Sequence, residues 1–542
     1  MFYKKIVIKF LSIFNEFLDS INFFWLIKHK LYISKLNDIF LKFKKKSNNL
    51  RSLNVLIDGL WYNQNYWLRY LIFRQSLKTK YCFKETVIIG KFNKFKIKKT
   101  IYGIKINNYF LYDEIKIENK LIHKYFDPIK NSIKNGQEFL KLKFPNKFPS
   151  IIIYDSILKK QRLATLNIND KNFFKYLKQC IKEILVAKKI IENGNYNLII
   201  SSHPFDTKYG GLVWAALRKG IRVVIPFGAF GLLRFVKMEK VDDIYKLYEN
   251  YNKKFLQKIE IEKQDKLINI SKKYLNERFS GKTFDHAGKL AFKKNASNLL
   301  IDKKKICKAF NWKFNKPIII FYGSNWFDWP HQSGMSNFKD FYEWTIFTCN
   351  SIKRDNRYNY IFKPHPCEHL YGGPSLSNVI KDFLKFEHIK LSNKEWDSSR
   401  LMLASSGIIT FHGTIGIESA AIGKPVLVPD KGKYESSGFV LNAKNKSAYK
   451  NFLNEDWINK KFFKQSRNLA LLFAAFWFAK PKWQKQLVYF DDIFQDDLMN
   501  KTPKLLSQNI KNLGIELDNV SGWFSSKVKH YQKYKILNND NY

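Results

Sequence analysis

Two stretches of this 542-residue chain, 197–228 and 407–430, share one local grammar, and it restricts the fold more than any other feature. The later stretch reads GIITFHGTIGIESAAIGKPVLVPD. Gly407 to Phe411 is a short run rich in β-branched residues, which suits a buried strand, and His412-Gly413-Thr414 breaks it. Ile415 to Ile422 has helical character, Gly423 is a natural stop, and Val426 to Val428 begins another strand after Pro425. The earlier stretch, NLIISSHPFDTKYGGLVWAALRKGIRVVIPFG, repeats this order: strand, histidine-bearing loop, helix ending at Gly220, strand. Strand, loop, short helix and strand make half of a parallel α/β unit, and the loops leaving its strands face the ligand crevice. Used twice, the unit predicts two successive Rossmann-like α/β domains facing a central crevice.

The rest of the chain fits around these units. Val55 to Ile57 reads as a first strand, followed by a turn at Asp58-Gly59 and a helix. Shorter strands are expected around Thr86 to Ile89 and Ile151 to Tyr154, and a long polar helix over Lys171 to Glu192. Residues 236 to 312 are charged and poor in Gly and Pro, like a helical connector, before Lys316-Pro317 introduces IIIFYGSNWFDWPH. The resulting division is a basic amphipathic segment (1–50), a first α/β domain (51–235), a connector (236–315), a second α/β domain (316–449) and a helical C-terminal segment (450–542). Phe10, Phe14, Phe17, Leu18 and Ile21 recur at helical spacing, which fits a helix packed on the body and equally one lying on a membrane. Leu469 to Ala479 is the most apolar run but falls short of the ~20 residues of a membrane span, so a buried helix is expected there.

Lys and Arg number 95 against 46 Asp and Glu, a formal charge of +49. An anionic partner explains such a charge, and so does A/T-rich codon usage, which favours Lys, Asn, Ile, Phe and Tyr together. The lysines are spread along the chain and form no block interleaved with an aromatic nucleic-acid motif. Codon usage therefore takes most of the weight and no nucleic-acid partner is expected. Some attraction to an anionic membrane surface is expected to survive. Cys82, Cys180, Cys307, Cys349 and Cys367 are widely separated without a CxxC pair, so neither a zinc site nor a disulfide framework is indicated. A cytoplasmic location, peripheral on the inner face of the plasma membrane, follows as the expectation.

Four loops carry candidate chemistry. In FHGTIGIESAAIGKP, Gly413 and Gly416 permit close backbone approach, and the helix starting near Thr414 offers N–H groups to a phosphate. Thr414 and Glu418 are four apart, hence on one helical face, whereas a capping box requires a spacing of three. In YIFKPHPCE, Pro364 and Pro366 hold His365 rigidly at a strand end beside Lys363. Ser324 and Asn325 follow the strand of FYGSNWFDWPH, where a ligand role and a turn role are both open. His203 and Asp206 in SSHPFDTKYGG, with Asp58, are candidate acid–base groups that sequence alone does not separate.

FKPHP followed by FHGTIGIESAAIGKPVLV resembles the second domain of the capsule polysaccharide biosynthesis family, the bacterial Kdo-transferase-like proteins. It is also similar to the His-Pro and Ser/Thr motifs of bacterial sialyltransferases. DGLWYN and SSHP…GGLVWAALRKGI fit the first domain loosely, and the resemblance covers residues 50 to 450. It implies a GT-B fold and a metal-independent glycosyltransferase without a cofactor. The implied donor is a nucleotide-sugar, CMP-linked by preference, in the second domain; a saccharide or lipid-linked glycan acceptor would occupy the first. By position, His365 would contact the donor nucleotide, Thr414 with the preceding Ser405 and Ser406 would lie near its phosphate, and Glu418 near the ribose or sugar, with His412 and Gly413 also on the donor-binding side. Ile57-Asp58-Gly59 departs from the sialyltransferase base motif in carrying one carboxylate instead of two. No DxD-type metal motif sits at a strand end, since Asp242-Asp243 and Asp491-Asp492 fall in helical or tail sequence. A non-hydrolysing sugar-nucleotide epimerase, a CDP-polyol phosphotransferase and a non-catalytic membrane or nucleic-acid-binding protein remain the alternatives.

Overall fold

The computed structural model describes residues 23–43, 50–91, 94–227, 233–283, 286–292, 302–479, 481–485 and 496–538. Six strands form the first sheet: β1 (Arg51–Gly59), β2 (Tyr81–Ile89), β3 (Asn108–Leu111), β4 (Leu198–Ile200), β5 (Arg222–Phe227) and β6 (Arg234–Met238). Their order is β3-β2-β1-β4-β5-β6, parallel throughout except for β6, which runs antiparallel to β5. The second sheet contains β7 (Ile318–Tyr322), β8 (Asn359–Lys363), β9 (Ile389–Leu391), β10 (Gly407–Thr410), β11 (Val426–Val428) and β12 (Leu441–Asn442). Its order is β12-β11-β10-β7-β8-β9, all parallel. Counted from each sheet's own first strand, both orders are 3-2-1-4-5-6, the doubly wound arrangement. The winding reverses between first and fourth strands, β1 and β4 in one sheet and β7 and β10 in the other. Ligands of such sheets bind outside the carboxyl ends of the strands at that reversal. Two domains of this topology facing one crevice make a GT-B-type architecture.

The strands are apolar without alternation because both faces are covered. Every residue of β4, β7, β10 and β11 is buried. On one face, a continuous cluster runs from the helices Ser150–Gln161 and Phe173–Asn193 through Trp326, Phe327 and Trp329 to the helix Phe341–Ile352, joining the two domains. The other face of the first sheet is covered by the helix Gln64–Leu77 and by both helical extensions. Leu36 of the helix Phe23–Leu41 and Trp523 of the helix Ile510–Ser525 have no exposed surface. Phe524 meets Phe73 edge-on at 5.4 Å, so the end of the chain returns to the domain with which it began.

One expectation about elements is corrected by the structure and two are met. Ile151 to Tyr154 is not a strand; it opens the helix Ser150–Gln161 after Pro149. A four-residue apolar run suits either state, and here the pairs Ile153/Ile157 and Tyr154/Leu158, each four apart, are all buried. The apolar run near Leu469 is the buried helix Arg467–Phe478, as its length indicated. Asp242-Asp243 lies in the short helix Val241–Lys246, with Asp243 buried and ion-paired to Lys529. The helical spacing over Phe10 to Ile21, the lysines at 44 to 46 and Asp491-Asp492 lie outside the described residues. Among the described residues no helix is long and apolar enough to cross a membrane.

Candidate active site

On the first-domain wall, Asp58 ends β1 deep in the protein, 2% exposed. It accepts from Leu60 N (2.9 Å), Ser202 N (3.1 Å), Ser202 Oγ (2.7 Å) and Ser201 Oγ (3.3 Å). Burial raises its pKa against these bonds. Its oxygens are engaged in tying the β1 loop to the β4 loop, and it does not line the neighbouring cavity. That cavity, about 370 Å³, is bordered by His203 and Asp206 together with Trp61, Arg69, Lys159 and Trp329.

Asp206 opens a widened π-type turn, Asp206–Gly210, that leads into the helix Gly211–Arg218, and it does so at φ +81°. Widened turns and positive φ in a non-glycine residue are sparsely populated features that gather at functional sites. Its Oδ1 accepts from Lys208 N (2.6 Å) and Tyr209 N (3.1 Å). Burial and the charge of Glu183 raise its carboxyl to about 6, so it is ionised at neutral pH yet basic enough to take a proton. Burial pushes His203 down to about 4, leaving a neutral imidazole whose ring lies 5.3 Å from that of Trp329.

The second-domain wall holds polar atoms that the protein does not satisfy. In the loop after β7, Asn325 is buried, and after β10, His412 is buried; among the described residues neither Asn325 Nδ2 nor His412 Nδ1 has a hydrogen-bond partner. Each such group costs about 1–3 kcal/mol unless a ligand meets it. The two follow hydrogen-bonded neighbours at the reversal of the sheet. Phe341 and Phe411 flank the His412 ring at 5.3 Å each, and burial with the nearby Lys433 charge holds it well below its ordinary pKa. His365 accepts from Cys367 N at Nδ1 (3.2 Å), which leaves its proton on Nε2; burial lowers its pKa against the field of Asp328. Lys363 donates to Trp396 O (2.8 Å), fixing the loop after β9.

Thr414 precedes the seven-residue helix Ile415–Ala421 and makes no side-chain capping bond. The backbone at Gly413 is held from behind, its carbonyl accepting from Tyr434 Oη (2.9 Å). A Cβ on Gly416 would stand 2.3 Å from that hydroxyl, so the glycine makes room for Tyr434. Glu418 is 1% exposed and accepts from Arg278 Nε (2.6 Å) in the helix Ile261–Phe279, which directs it into packing. Ser405 and Ser406 lie at the other end of the sheet. Ser405 Oγ donates to Met402 O (2.7 Å), and Ser406 N donates to Ile318 O (2.7 Å) before β10 begins. The four residues of β10 set them about 13 Å from the His412 loop, so they are not brought to it. Ser324 stays half-buried at the mouth of β7.

Two residues of the site carried no sequence signal. Lys433, after β11, rests over the Tyr248 ring at 4.2 Å, and burial brings its ammonium down to about 8. Asp328, in the β7 loop, is the carboxylate whose field favours the charged forms of His203, His365 and Lys433, and so acts on both walls. Its neighbour Trp329, at φ +54°, reaches from the second domain into the first-domain cavity. Downstream, Asp155 accepts from His331 N (3.0 Å) and pairs with His331 Nδ1 (2.7 Å), while Tyr154 Oη donates to Asp340 (2.5 Å). These bonds fasten the β7 loop to the helix Ser150–Gln161 across the crevice. Among the described residues no group of three or more His, Cys, Asp or Glu could hold a metal ion.

No protein-family model and no curated protein matches the chain. Among solved structures it is similar to UDP-GlcNAc 2-epimerase from Neisseria meningitidis bound to UDP-GlcNAc, at 12% identity and TM-score 0.21, over 86% of this chain and 99% of the other. Thermosulfurimonas dismutans KpsC, a β-Kdo 2,7 transferase, aligns at 11% identity and TM-score 0.26, over 64% and 96%. The wall teichoic acid polymerase TagF aligns at 11% and 0.21, over 92% and 98%. At these identities and scores the alignments carry no weight for the chemistry, and the two-domain architecture rests on the chain's own strand order.

Proposed function

We propose that this chain is a GT-B glycosyltransferase of bacterial capsule or other surface polysaccharide assembly. It moves a sugar from a nucleotide-activated donor in the second domain to a hydroxyl of a saccharide or lipid-linked glycan in the first. One observation carries the reading: the Asp206 carboxyl, raised to about 6, faces the crevice from one domain, while the unpartnered His412 Nδ1 and Asn325 Nδ2 mark a ligand site on the other. A base on one wall and a binding site on the opposite wall suit transfer between two partners held in line.

In this reading Asp206, with His203 beside it, takes the acceptor proton as the sugar–phosphate bond breaks. His365 meets the charge that develops on the departing nucleotide phosphate. The bonded β7 loop closes the crevice against water, which would otherwise hydrolyse the donor. The donor proposed is CMP-linked, in keeping with the resemblance of FKPHP and FHGT to sialyltransferase motifs.

Thermal unfolding in the presence of CMP, CDP, UDP or GDP tests the donor site. A ligand of the native state stabilises by about 2.7 kcal/mol at a hundred times its Kd. CMP is expected to raise Tm most. Indifference to all four nucleotides overturns the donor-site assignment.

A further inference from the structure

A second cavity, about 750 Å³, lies next to the first, where the second domain meets the connector and the C-terminal segment. Phe227 borders the smaller cavity and Tyr248 the larger, and their rings meet edge-on at 5.5 Å, so the two spaces share a wall. The larger one is lined by Lys246, Lys431, Lys433, Lys527, Lys529 and Lys533. Its acids are Asp242, Glu249 and Glu435.

Part of this charge is structural. Lys529 pairs with Asp243, Lys246 lies 3.7 Å from the same carboxylate, and Lys533 and His530 hold Glu249 at 2.7 and 3.1 Å. These pairs secure the start of the helix Tyr531–Asn538 and the chain just before it. Lys431, Lys433 and Lys527 are different: among the described residues none has a carboxylate within ion-pair distance. Asp328 acts on Lys433 only through its field. Lys433 is also half-buried against Tyr248, yet remains charged at neutral pH. A partly desolvated ammonium without an acid within ion-pair distance carries a cost, and an anion entering the cavity would offset it.

We propose that this cavity is an anion-binding subsite which holds phosphate- or carboxylate-bearing units of a polymeric acceptor, whose terminal hydroxyl enters the smaller cavity beside Asp206. The anion site stands on the lysines themselves, while its assignment to the acceptor rests on the transferase reading. The shared wall at Phe227 and Tyr248 puts a neighbouring unit of such a chain within reach of the lysines. A polymer of fixed negative charge would thereby be distinguished from a neutral one.

The test is calorimetric titration of the full chain with inorganic tripolyphosphate and with a galacturonic acid oligosaccharide, at low and high ionic strength. Two doubly charge-reversed variants are compared. One is Lys431→Glu with Lys527→Glu, both exposed cavity residues. The other is Lys120→Glu with Lys124→Glu on the exposed face of the helix Asn119–Ser132, an equal change in net charge elsewhere. The cavity variant is expected to lose affinity for at least one probe by roughly tenfold while the control keeps it, with the salt-sensitivity of charged contacts. The probe that responds tells phosphate from carboxylate. The nucleotide-induced rise in Tm should be equal in all three proteins, which also shows that each is folded. Equal losses in both variants would reduce the effect to net charge, and displacement of tripolyphosphate by the stabilising nucleotide would make the cavity the donor's own phosphate site; either overturns the proposal, as does failure of both probes to bind. Cavity-dependent binding without any nucleotide response would keep the anion site and remove its assignment to the acceptor.

Discussion

Asp206 combines three departures from ordinary behaviour in one side chain: positive φ, a widened helical turn and a carboxyl raised to about 6. As a general base it must be ionised, so kcat/KM should fall as pH drops through about 6 and level off above it. Asp206→Asn should cut turnover about 10²–10⁴-fold, abolish that acidic limb and leave nucleotide affinity unchanged. Measuring the pH profile of both proteins checks this, and an unaltered limb in the variant assigns the titration to another group. Asn325 makes the complementary case. Replacing it by Leu removes a buried amide nitrogen that has no partner, so Tm without ligand should hold or rise. The nucleotide-induced shift in Tm should shrink, and an unchanged shift would place the nucleotide elsewhere. Residue identity at strand ends was legible because Pro364 and Pro366 bracket His365 and because glycine and threonine interrupt a β-branched run at His412. Lys433 and Asp328 were not legible. One lysine among 95 basic residues carries no local signal, and only the folding of β11 and β7 to one edge selects it.

The helix Ser150–Gln161 is the element through which the domains are joined at the crevice. Burial alone would depress the His331 imidazolium, but the charge and hydrogen bond of Asp155, with Asp340 and Asp430 beyond, raise it above its ordinary value. A raised histidine contributes stability that is complete below its unfolded pKa of about 6.5 and is lost as pH climbs through the folded value. Asp155→Ala should cost roughly 3 kcal/mol near pH 6 and remove this part of the pH dependence, which urea titrations at about pH 6 and about pH 8 would reveal. A variant as stable as the parent at both values contradicts the clasp. This helix also shows why Ile151 to Tyr154 misled: a run of four apolar residues has no period, and the helical repeat emerges only with Ile157 and Leu158. The N-terminal region gives a second prediction at this scale. The helix Phe23–Leu41 contributes Leu36 to the first-domain core, so removing it would damage the fold. Deleting only residues 1–22 and reversing the lysines at 42, 44, 45 and 46 should instead abolish co-sedimentation with anionic vesicles. Each basic residue at such a surface contributes about 1 kcal/mol. Binding that persists, or that ignores salt, excludes this mode of attachment.

Across the whole molecule, the repeated grammar of 197–228 and 407–430 announced two parallel units, and both sheets have the same 3-2-1-4-5-6 order. Each stretch supplies a fourth strand, and in a doubly wound sheet that strand borders the ligand crevice. The return of the helix Ile510–Ser525 to the first sheet was hidden, because a contact spanning more than four hundred residues leaves no trace in local periodicity. The same limit hid the β7 loop's reach into the opposite cavity. In the proposed reading the two walls serve two partners, and the most direct measurement follows both at once. The full chain is incubated with the sugar nucleotide that stabilises it, with and without a membrane glycolipid extract, while nucleotide release and sugar configuration are monitored. A transferase releases nucleotide rapidly only when the acceptor is present and leaves the unreacted donor's ring carbons unchanged; inversion of a ring carbon without any acceptor would instead make the chain an epimerase.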